Sequence, residues 1–178
     1  MEAVGVIQAV REDDATFAEV FRTHSGVAFR LAMRLCGDRQ RAEDVVSEAF
    51  AKVYPQWRKG HVEDVGAYLR RAVVNQVNSG FRRLATERRW RARASGDDRG
   101  AVGMEDRSAD AEVFRKALLR LPPSQRAVLV LRYYEDMTEA QAAEVLGCSL
   151  GTVKSQGHRG IAKLRQLLGD AALGKAVR

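Results

Sequence analysis

The amino-acid sequence predicts an all-α protein built from two small helical domains joined by a flexible linker. Apolar residues recur at i, i+3, i+4 and i+7 over several long stretches, which is the periodicity of amphipathic helices. The 178 residues include only 3 prolines, two of them adjacent, so long helices are permitted almost everywhere. Aromatic residues make up 7% of the chain and β-branched runs are scarce, which argues against a β-sandwich.

Charge is unevenly distributed along the chain. The formal net charge of +7 is a first, weak sign of a polyanionic partner. Residues 70–93 hold eight arginines against Glu87 alone, whereas residues 94–111 hold two arginines, five acids and three glycines. The second stretch has almost no large apolar residue, so it cannot bury enough surface to become ordered. We therefore predict a first domain over 1–91, a flexible acidic linker over 92–111, a second domain over 112–170 and a tail over 171–178.

Three helices are predicted in the first domain, over residues 15–36, 39–54 and 65–90. Gly37 suits the end of the first helix and Asp38 can cap the second. Pro55 is predicted to end the second helix, because proline breaks the helical hydrogen-bond ladder. Residues 56–64 are then expected to form a short basic loop.

The second helix carries a polar, acidic face opposite its apolar stripe. A solvated surface and a docking face for a partner helix both fit this pattern. The polar face comprises Glu43, Asp44, Ser47, Glu48 and Lys52.

The third helix has a polar face without acids. Arginine suits phosphates and guanine edges, and asparagine can pair with adenine through two hydrogen bonds. An ordinary exposed face would mix glutamate with lysine, so the absence of acids favours nucleic acid as the partner. The polar face comprises Arg71, Asn75, Asn78 and Arg82, roughly opposite an apolar stripe of Leu69, Val73, Val77, Phe81 and Leu84.

The second domain is predicted to contain a helix-turn-helix. A short helix over 112–121 stops at two prolines, and Ser124 is expected to cap the following helix, whose buried side comprises Ala127, Val128, Leu131 and Tyr134. Thr138 and Gln141 then form a capping box, and Ser149 can cap the last helix.

The spacing of Ala143, Gly147 and Val153 fits a helix-turn-helix, which needs a small residue, a turn glycine and an apolar anchor at these positions. A plain helical hairpin is the alternative. Two glycines, Gly157 and Gly160, each cost about 1 kcal/mol relative to alanine in a helix. The front of the last helix presents Thr152, Lys154, Ser155, Gln156, His158 and Arg159.

Signatures of catalysis and of metal binding are missing from the sequence. The three histidines are scattered, and Cys36 and Cys148 lie one in each domain without ligand spacing. No phosphate-binding glycine loop precedes a helix. We therefore expect no enzymatic activity, cofactor, metal or small-molecule substrate. The first residues do not read as a signal peptide and no apolar stretch is long enough to span a membrane, so a cytoplasmic protein without membrane insertion is expected.

Three segments, in this order, resemble those of bacterial extracytoplasmic-function sigma factors, the smallest class of promoter-recognition subunits of RNA polymerase. The segment RAEDVVSEAFAKVY at 41–54 resembles region 2.2, and AYLRRAVVNQVNSGFRR at 67–83 resembles regions 2.3 and 2.4. Residues 121–165 resemble region 4. The resemblance covers nearly the whole chain, from about Phe17 to Leu168.

The resemblance implies two surfaces on the first domain. The loop from 58 to 64 would capture a base flipped from the −10 strand, and the third helix would hold the single strand. The residues implied in docking on core polymerase are Asp44, Val45, Ser47, Glu48 and Lys52. Those implied in −10 recognition are Trp57, Arg58, Lys59, His61, Arg71, Asn75, Asn78, Arg82 and Arg83.

The resemblance implies a third surface on the second domain, which would read the −35 element in duplex DNA. Arg126 and Thr152 would contact the DNA backbone, which positions the protein without specifying sequence. The implied partners are core RNA polymerase, promoter DNA and an anti-sigma factor. The residues implied at the major groove are Lys154, Ser155, His158 and Arg159, and Gln156 is also counted among the residues that bind the −35 element.

Two positions of the last helix depart from the family pattern. Many members carry arginine at the position of Gln156 and a large apolar residue at that of Gly157. In carrying Gln156, and Trp57 ahead of the loop, the sequence resembles the SigE-like subgroup of these sigma factors, which is abundant in actinobacteria.

A one-component transcriptional regulator with an N-terminal dimerisation domain is the alternative class. Such a protein needs a self-complementary apolar face on the first 90 residues. The sequence instead shows an acidic helix and a basic helix whose apolar stripes suit one small core.

Overall fold

A computed structural model describes residues 2–91 and 109–169, with side chains over 16–80 and 111–169. Within these ranges the chain is helical and contains no strand, which confirms the predicted all-α class. Residues 92–108, in the predicted linker, and 170–178, which contain the tail, lie outside the described residues. The helices are α1 (Glu2–Cys36), α2 (Arg39–Arg58), α3 (Val65–Arg91), α4 (Ala109–Leu119), α5 (Pro123–Tyr133), α6 (Glu139–Leu146) and α7 (Leu150–Leu168).

The first domain is a three-helix arrangement in which α1, α2 and α3 contact one another. Gly37 has a φ of +75°, a left-handed conformation that favours glycine and ends α1. Asp38 caps α2 by accepting a hydrogen bond of 2.8 Å from the Arg41 amide. The predicted boundary between the two helices is therefore confirmed. The largest fully buried side chains of this core are Leu31, Leu35, Val53, Val73 and Val74.

Helix α2 does not end at Pro55, and the predicted boundary is wrong by four residues. The helix continues to Arg58, with Pro55 inside it, and the chain leaves the helix only before Gly60, whose φ is +69°. Proline removes one donor from the ladder but does not forbid another turn. The half-buried ring of Trp57 packs 5.1 Å from the ring of Phe17 on α1. This packing offsets the missing hydrogen bond and holds the extra turn.

Helix α5 is the central helix of the second domain. Residues 126–131 are buried all around the helix, rather than on one side as predicted, because α5 contacts both α1 and α7. Tyr134 is more exposed than predicted and lies under the guanidinium of Arg34 at 4.4 Å. The predicted cap at Ser124 is also wrong. The helix begins at Pro123 without a side-chain cap, and proline suits the first position because it has no N–H that would need an acceptor there.

The helix-turn-helix comprises α6 and α7, and its predicted local signals are all present. Thr138 and Gln141 form both bonds of the capping box. Gly147 adopts the left-handed conformation at φ +61°, and the Ser149 side chain accepts a hydrogen bond from the Thr152 amide. Val153, on the inner side of α7, is buried with 1% of its surface exposed. The pattern thus encodes a folded helix-turn-helix rather than a plain hairpin.

The first turn of α4 contains a paired carboxylate that makes stability dependent on pH. Glu112 accepts hydrogen bonds from Arg115 at 2.8 and 2.7 Å, which lower the pKa of Glu112 from 4.5 to about 2. A lowered folded-state pKa stabilises the protein above pH 4.5, and this contribution is lost as the pH falls toward 2.

We expect the Glu112→Gln variant to be less stable than the wild type at neutral pH, and the difference in free energy of unfolding to shrink between pH 4.5 and 2. Urea denaturation of both proteins across this range measures the difference. A gap that stays constant with pH would show that the Glu112–Arg115 pair does not provide it.

Candidate nucleic-acid interface

The front of α7 is an exposed polar and basic surface on a rigid support. Val153 and Leu164 are buried and Ile161 packs against the core, which fixes the rotation of the helix. With one face of α7 fixed inward, the other face points away from the protein. The exposed side chains on that face are Thr152, Lys154, Ser155, His158 and Arg159.

Several of these side chains have partners that restrict them. The Lys154 ammonium lies 3.9 Å from the Glu139 carboxylate, and the Ser155 hydroxyl donates to the Thr152 carbonyl at 3.0 Å. Gln156 is half-buried and accepts a hydrogen bond of 3.4 Å from Ser124 on α5. Gln156 therefore lies at the shoulder of the surface, tethered to the domain.

The two glycines of α7 differ in their surroundings. A Cβ added at Gly157 would meet Val128 Cγ1 at 3.4 Å, an ordinary contact. A Cβ added at Gly160, which is buried, would lie 3.0 Å from Leu129 Cδ1 and 3.2 Å from Leu129 Cγ. The close approach of α5 and α7 therefore leaves less room for a side chain at 160 than at 157.

We expect Gly157→Ala to raise the melting temperature of the full chain, with a gain of up to about 1 kcal/mol from restored helix propensity. Gly160→Ala is the matched control: its gain in propensity is opposed by the contact with Leu129, so it should not raise the melting temperature. Thermal unfolding followed by circular dichroism measures both. Equal stabilisation by the two substitutions would contradict this packing argument.

The polar face of α3 is partly occupied by the second domain. Asn75 is exposed and Asn78 is half-buried. Arg71 donates to the Glu144 carbonyl at 3.3 Å and lies 3.6 Å from the Glu144 carboxylate, on α6. The side chains of Arg82 and Arg83, near the end of α3, lie outside the described residues.

The segment between α2 and α3 presents a small basic surface. Lys59 and His61 are exposed, and His61 Nδ1 lies 3.4 Å from Gln56 Oε1. The exposed Arg58 guanidinium lies 5.8 Å from the ring of Tyr54. Because Trp57 packs on Phe17, only part of its ring is open to stack on a base.

The outer face of α2 is exposed at four of the five positions implied in docking, namely Asp44, Ser47, Glu48 and Lys52. The fifth, Val45, lies on the apolar side of the helix and is buried with 7% of its surface exposed, so it belongs to the core. A residue that the sequence did not single out, Gln76 on α3, accepts from Lys52 and donates to Glu48. It connects this face to α3.

Arg126 lies inside the protein rather than on the DNA-facing surface, which corrects its expected exposure. Its guanidinium donates to the Leu35 carbonyl at 2.6 Å and to the Leu121 carbonyl at 3.2 Å, and only 6% of the residue is exposed. Burial lowers the pKa of Arg126. In this arrangement the side chain cannot reach a phosphate.

A cleft of about 470 Å³ separates the base of α3 from the α5–α6 connection. It is lined by charged side chains of both domains, among them Arg70, Arg71, Glu135 and Glu144.

Burial raises the pKa of the Cys36 thiol to about 11, so this thiol stays protonated and unreactive at neutral pH.

Two kinds of feature are absent from the described residues. Within residues 2–91 and 109–169, no helix combines the length and apolar character that a membrane span requires. Over the same ranges, no three histidine, cysteine, aspartate or glutamate side chains are grouped so as to hold a metal ion.

Both halves of the chain match known families. Residues 20–87 match Sigma-70 region 2, and residues 111–164 match Sigma-70, region 4. The chain is 35% identical over 158 residues to the RNA polymerase sigma-E factor of Streptomyces coelicolor, covering 85% of each chain. It is 31% identical over 174 residues to the ECF RNA polymerase sigma factor SigL of Mycobacterium tuberculosis, covering 90% of this chain and 93% of the other.

The fold is also similar to a solved structure of the sigma factor RpoE from Bartonella quintana, in complex with the anti-sigma factor NepR. The TM-score is 0.71 at 23% identity, over 87% of this chain and 98% of that one. The protein has two helical domains, and the second contains a helix-turn-helix whose last helix, α7, exposes a basic face. This architecture defines a two-domain DNA-binding protein. The chain belongs to the extracytoplasmic-function sigma factors of bacterial RNA polymerase.

Proposed function

We propose that this chain binds core RNA polymerase in the cytoplasm and directs it to promoters by reading a −35 element as duplex and a −10 element as melted single strand. The observation that carries this proposal is the exposed basic front of α7 on a capped helix-turn-helix, in one chain with the acid-free polar face of α3. The polymerase supplies the chemistry, and this chain supplies recognition.

In the second domain, α7 enters the major groove of the −35 element. His158 and Arg159 are accessible reading groups, since both are exposed at the middle of the helix. On binding, Lys154 leaves its ion pair with Glu139 and contacts the DNA instead. Ser155 and Gln156 contact base edges beside it. Thr152, at the amino end of α7, contacts a phosphate, where the helix dipole favours negative charge.

In the first domain, the connection after α2 and the face of α3 hold the melted −10 strand. Lys59 and His61 line the place where a flipped base is captured, and Arg58 and the open edge of Trp57 flank it. Asn75 and Asn78 contact base edges, and three arginines hold the backbone through salt-dependent contacts. These arginines are Arg71, Arg82 and Arg83.

The exposed acidic face of α2 docks on the polymerase. Asp44 and Glu48 offer negative charge on a helix whose opposite side is anchored in the core, so the docking surface is preformed. Ser47 and Lys52 complete this surface. An anti-sigma factor is the proposed inhibitor, supported by the similarity to Bartonella quintana RpoE, which was solved with the anti-sigma factor NepR.

Run-off transcription tests the proposal. Core polymerase is incubated with genomic DNA fragments, with and without the chain, and the transcript starts are mapped; we expect defined starts only in its presence. Glu48→Lys should abolish these starts, whereas Glu19→Lys, an exposed position on α1, should preserve them. If the chain binds DNA tightly alone and never changes where core polymerase starts, it acts as a one-component regulator instead.

A further inference from the structure

Helices α5 and α7 approach each other closely beside the front of α7. A Cβ added at Gly160 would lie 3.0 Å from Leu129 Cδ1 and 3.4 Å from Gln125 Cβ. One added at Gly157 would lie 3.4 Å from Val128 Cγ1. Because neither glycine places a side chain between the helices, the amino-terminal half of α5 lies against the middle of α7. This is the stretch of α7 that carries the exposed side chains of the candidate interface.

A hydrogen bond crosses this approach between Ser124, in the first turn of α5, and Gln156 on α7. The Ser124 hydroxyl donates to Gln156 Oε1 at 3.4 Å. Gln156 is half-buried, whereas Ser155 and His158 beside it are exposed. The bond and the burial together turn the amide oxygen of Gln156 toward α5 and away from the exposed front. At 3.4 Å the bond is long for a hydroxyl donor, so it favours this orientation of the amide without locking it.

The orientation of the Gln156 amide decides which hydrogen-bonding group it offers to DNA. A glutamine amide carries two donors on its nitrogen and an acceptor on its oxygen. With both groups free, it pairs with adenine by donating to N7 and accepting from N6. With the oxygen turned toward Ser124, the amino group is the part that remains for a base, so Gln156 acts as a donor.

A donor without an acceptor distinguishes the bases by their edges in the major groove. Guanine presents two acceptors, N7 and O6, and thymine presents one, O4. Cytosine presents only the N4 donor, and adenine places its N6 donor beside N7. Bases with a keto oxygen in the groove, guanine above all, therefore suit this amide better than bases with an amino group.

We propose that Ser124 is a specificity-determining residue of the −35 surface: by holding the Gln156 oxygen, it makes Gln156 select a keto base, guanine or thymine, over an amino base, adenine or cytosine. Ser124 positions Gln156 and does not itself touch the base. This inference rests on the proposed function, in which α7 enters the major groove. It gives one position of the −35 element a base class that neither residue defines alone.

Binding measured base by base tests this inference. Core polymerase carrying the full-length chain is bound to the promoter duplex that run-off transcription identifies, and each −35 base pair is replaced in turn by the other three. Competition binding gives the preference at every position. The position at which Gln156→Ala removes the preference is the one that Gln156 reads, and the wild type should prefer guanine or thymine there.

We expect Ser124→Ala to lower the preference for guanine over adenine at that position by about threefold, the lower range for the net contribution of one hydrogen bond. The freed oxygen can then face the base and accept from adenine N6. Preferences at the other −35 positions should not change. Ser124→Thr, which retains the hydroxyl donor, is the matched control and should keep the wild-type preference.

Ser124→Asp reverses the hydrogen bond and is the second test. A carboxylate only accepts, so it should take the amino group of Gln156 and turn the amide oxygen outward. The preference at this position should then move toward adenine or cytosine, whose amino groups donate. An acid in the first turn of a helix is stabilising, so this variant should fold even if Ser124→Ala does not. Its added negative charge weakens binding to every duplex alike and leaves the comparison between bases intact.

A wild-type preference for adenine or cytosine at the position that Gln156 reads would overturn the inference. The same holds if Gln156→Ala changes the preference at no position. Substitutions of Ser124 that leave the base preferences unchanged, or that weaken binding to every duplex by one factor, would also contradict it, because a residue with a purely structural or phosphate-binding role behaves in that way.

Transcription separates this inference from the proposed function. If the wild-type chain directs core polymerase to no defined starts, the proposed function itself fails. Defined starts, combined with −35 preferences that do not depend on residue 124, leave the function intact and contradict only the role of Ser124.

Discussion

Replacing Arg159 by alanine is expected to weaken the binding of the polymerase-bound chain to its promoter by about 5- to 100-fold, the range for loss of a bidentate contact to a base. Arg159 is exposed on a face of α7 that the buried Val153 and Leu164 hold outward. Its guanidinium can therefore reach the groove without rearrangement of the helix. Binding to random-sequence DNA should change much less, because base contacts carry the specificity.

Arg165→Ala is the matched control for this experiment. Arg165 is exposed in the last turn of the same helix, but lies on a different side from Arg159, so its loss changes the charge without removing a base contact. Fluorescence anisotropy measures the promoter affinity of both polymerase-bound variants over a series of salt concentrations. The labelled DNA carries the promoter that run-off transcription identifies. An Arg159→Ala variant with unchanged affinity at low and intermediate salt would show that this face does not bind the DNA.

Replacing Phe50 by alanine is expected to lower the free energy of unfolding by about 3–5 kcal/mol, the usual cost of truncating a buried aromatic side chain. Phe50 lies on the inner side of α2 and is 4% exposed. Its ring is 6.2 Å from that of Phe17 and 4.7 Å from that of Phe21, both on α1. The substitution leaves a cavity between α1 and α2, the helix that carries the proposed docking face.

Phe21→Ala gives the comparison, since Phe21 belongs to the same cluster but is 46% exposed. We expect it to cost about 1 kcal/mol, in proportion to the smaller apolar area that it buries. Chemical denaturation of both variants at neutral pH measures the difference. A similar cost at the two positions would mean that the core of the first domain is not centred on Phe50.

Local chemistry made much of the fold predictable. The capping box at Thr138, the turn at Gly147 and the cap at Ser149 each depend on neighbours within four residues, and each occurs as expected. The amphipathic period likewise identified the buried side of α2. Within the candidate site, the same period identified the exposed front of α7, because a helix anchored at Val153 must turn its other side outward.

Predictions were wrong where distant packing outweighs local preference. The helix passes through Pro55 because Trp57 finds a partner on α1, and no property of the residues around Pro55 reveals that partner. Arg126 was expected at a surface, yet the interdomain contact buries it. The roles of Gln76 and Glu144 depend on partners 28 and 73 residues away in the chain.

The sequence by itself determined the helical class, the helix-turn-helix and the chemical character of each surface, because these follow from periodicity, caps and charge within short stretches. Only the tertiary structure decided how the two domains meet. That contact depends on two arginines reaching helix ends that are 73 and 91 residues distant, and such pairings leave no periodic signal. The same basic residues that identify a DNA-binding protein in the sequence thus also hold its domains together in the fold.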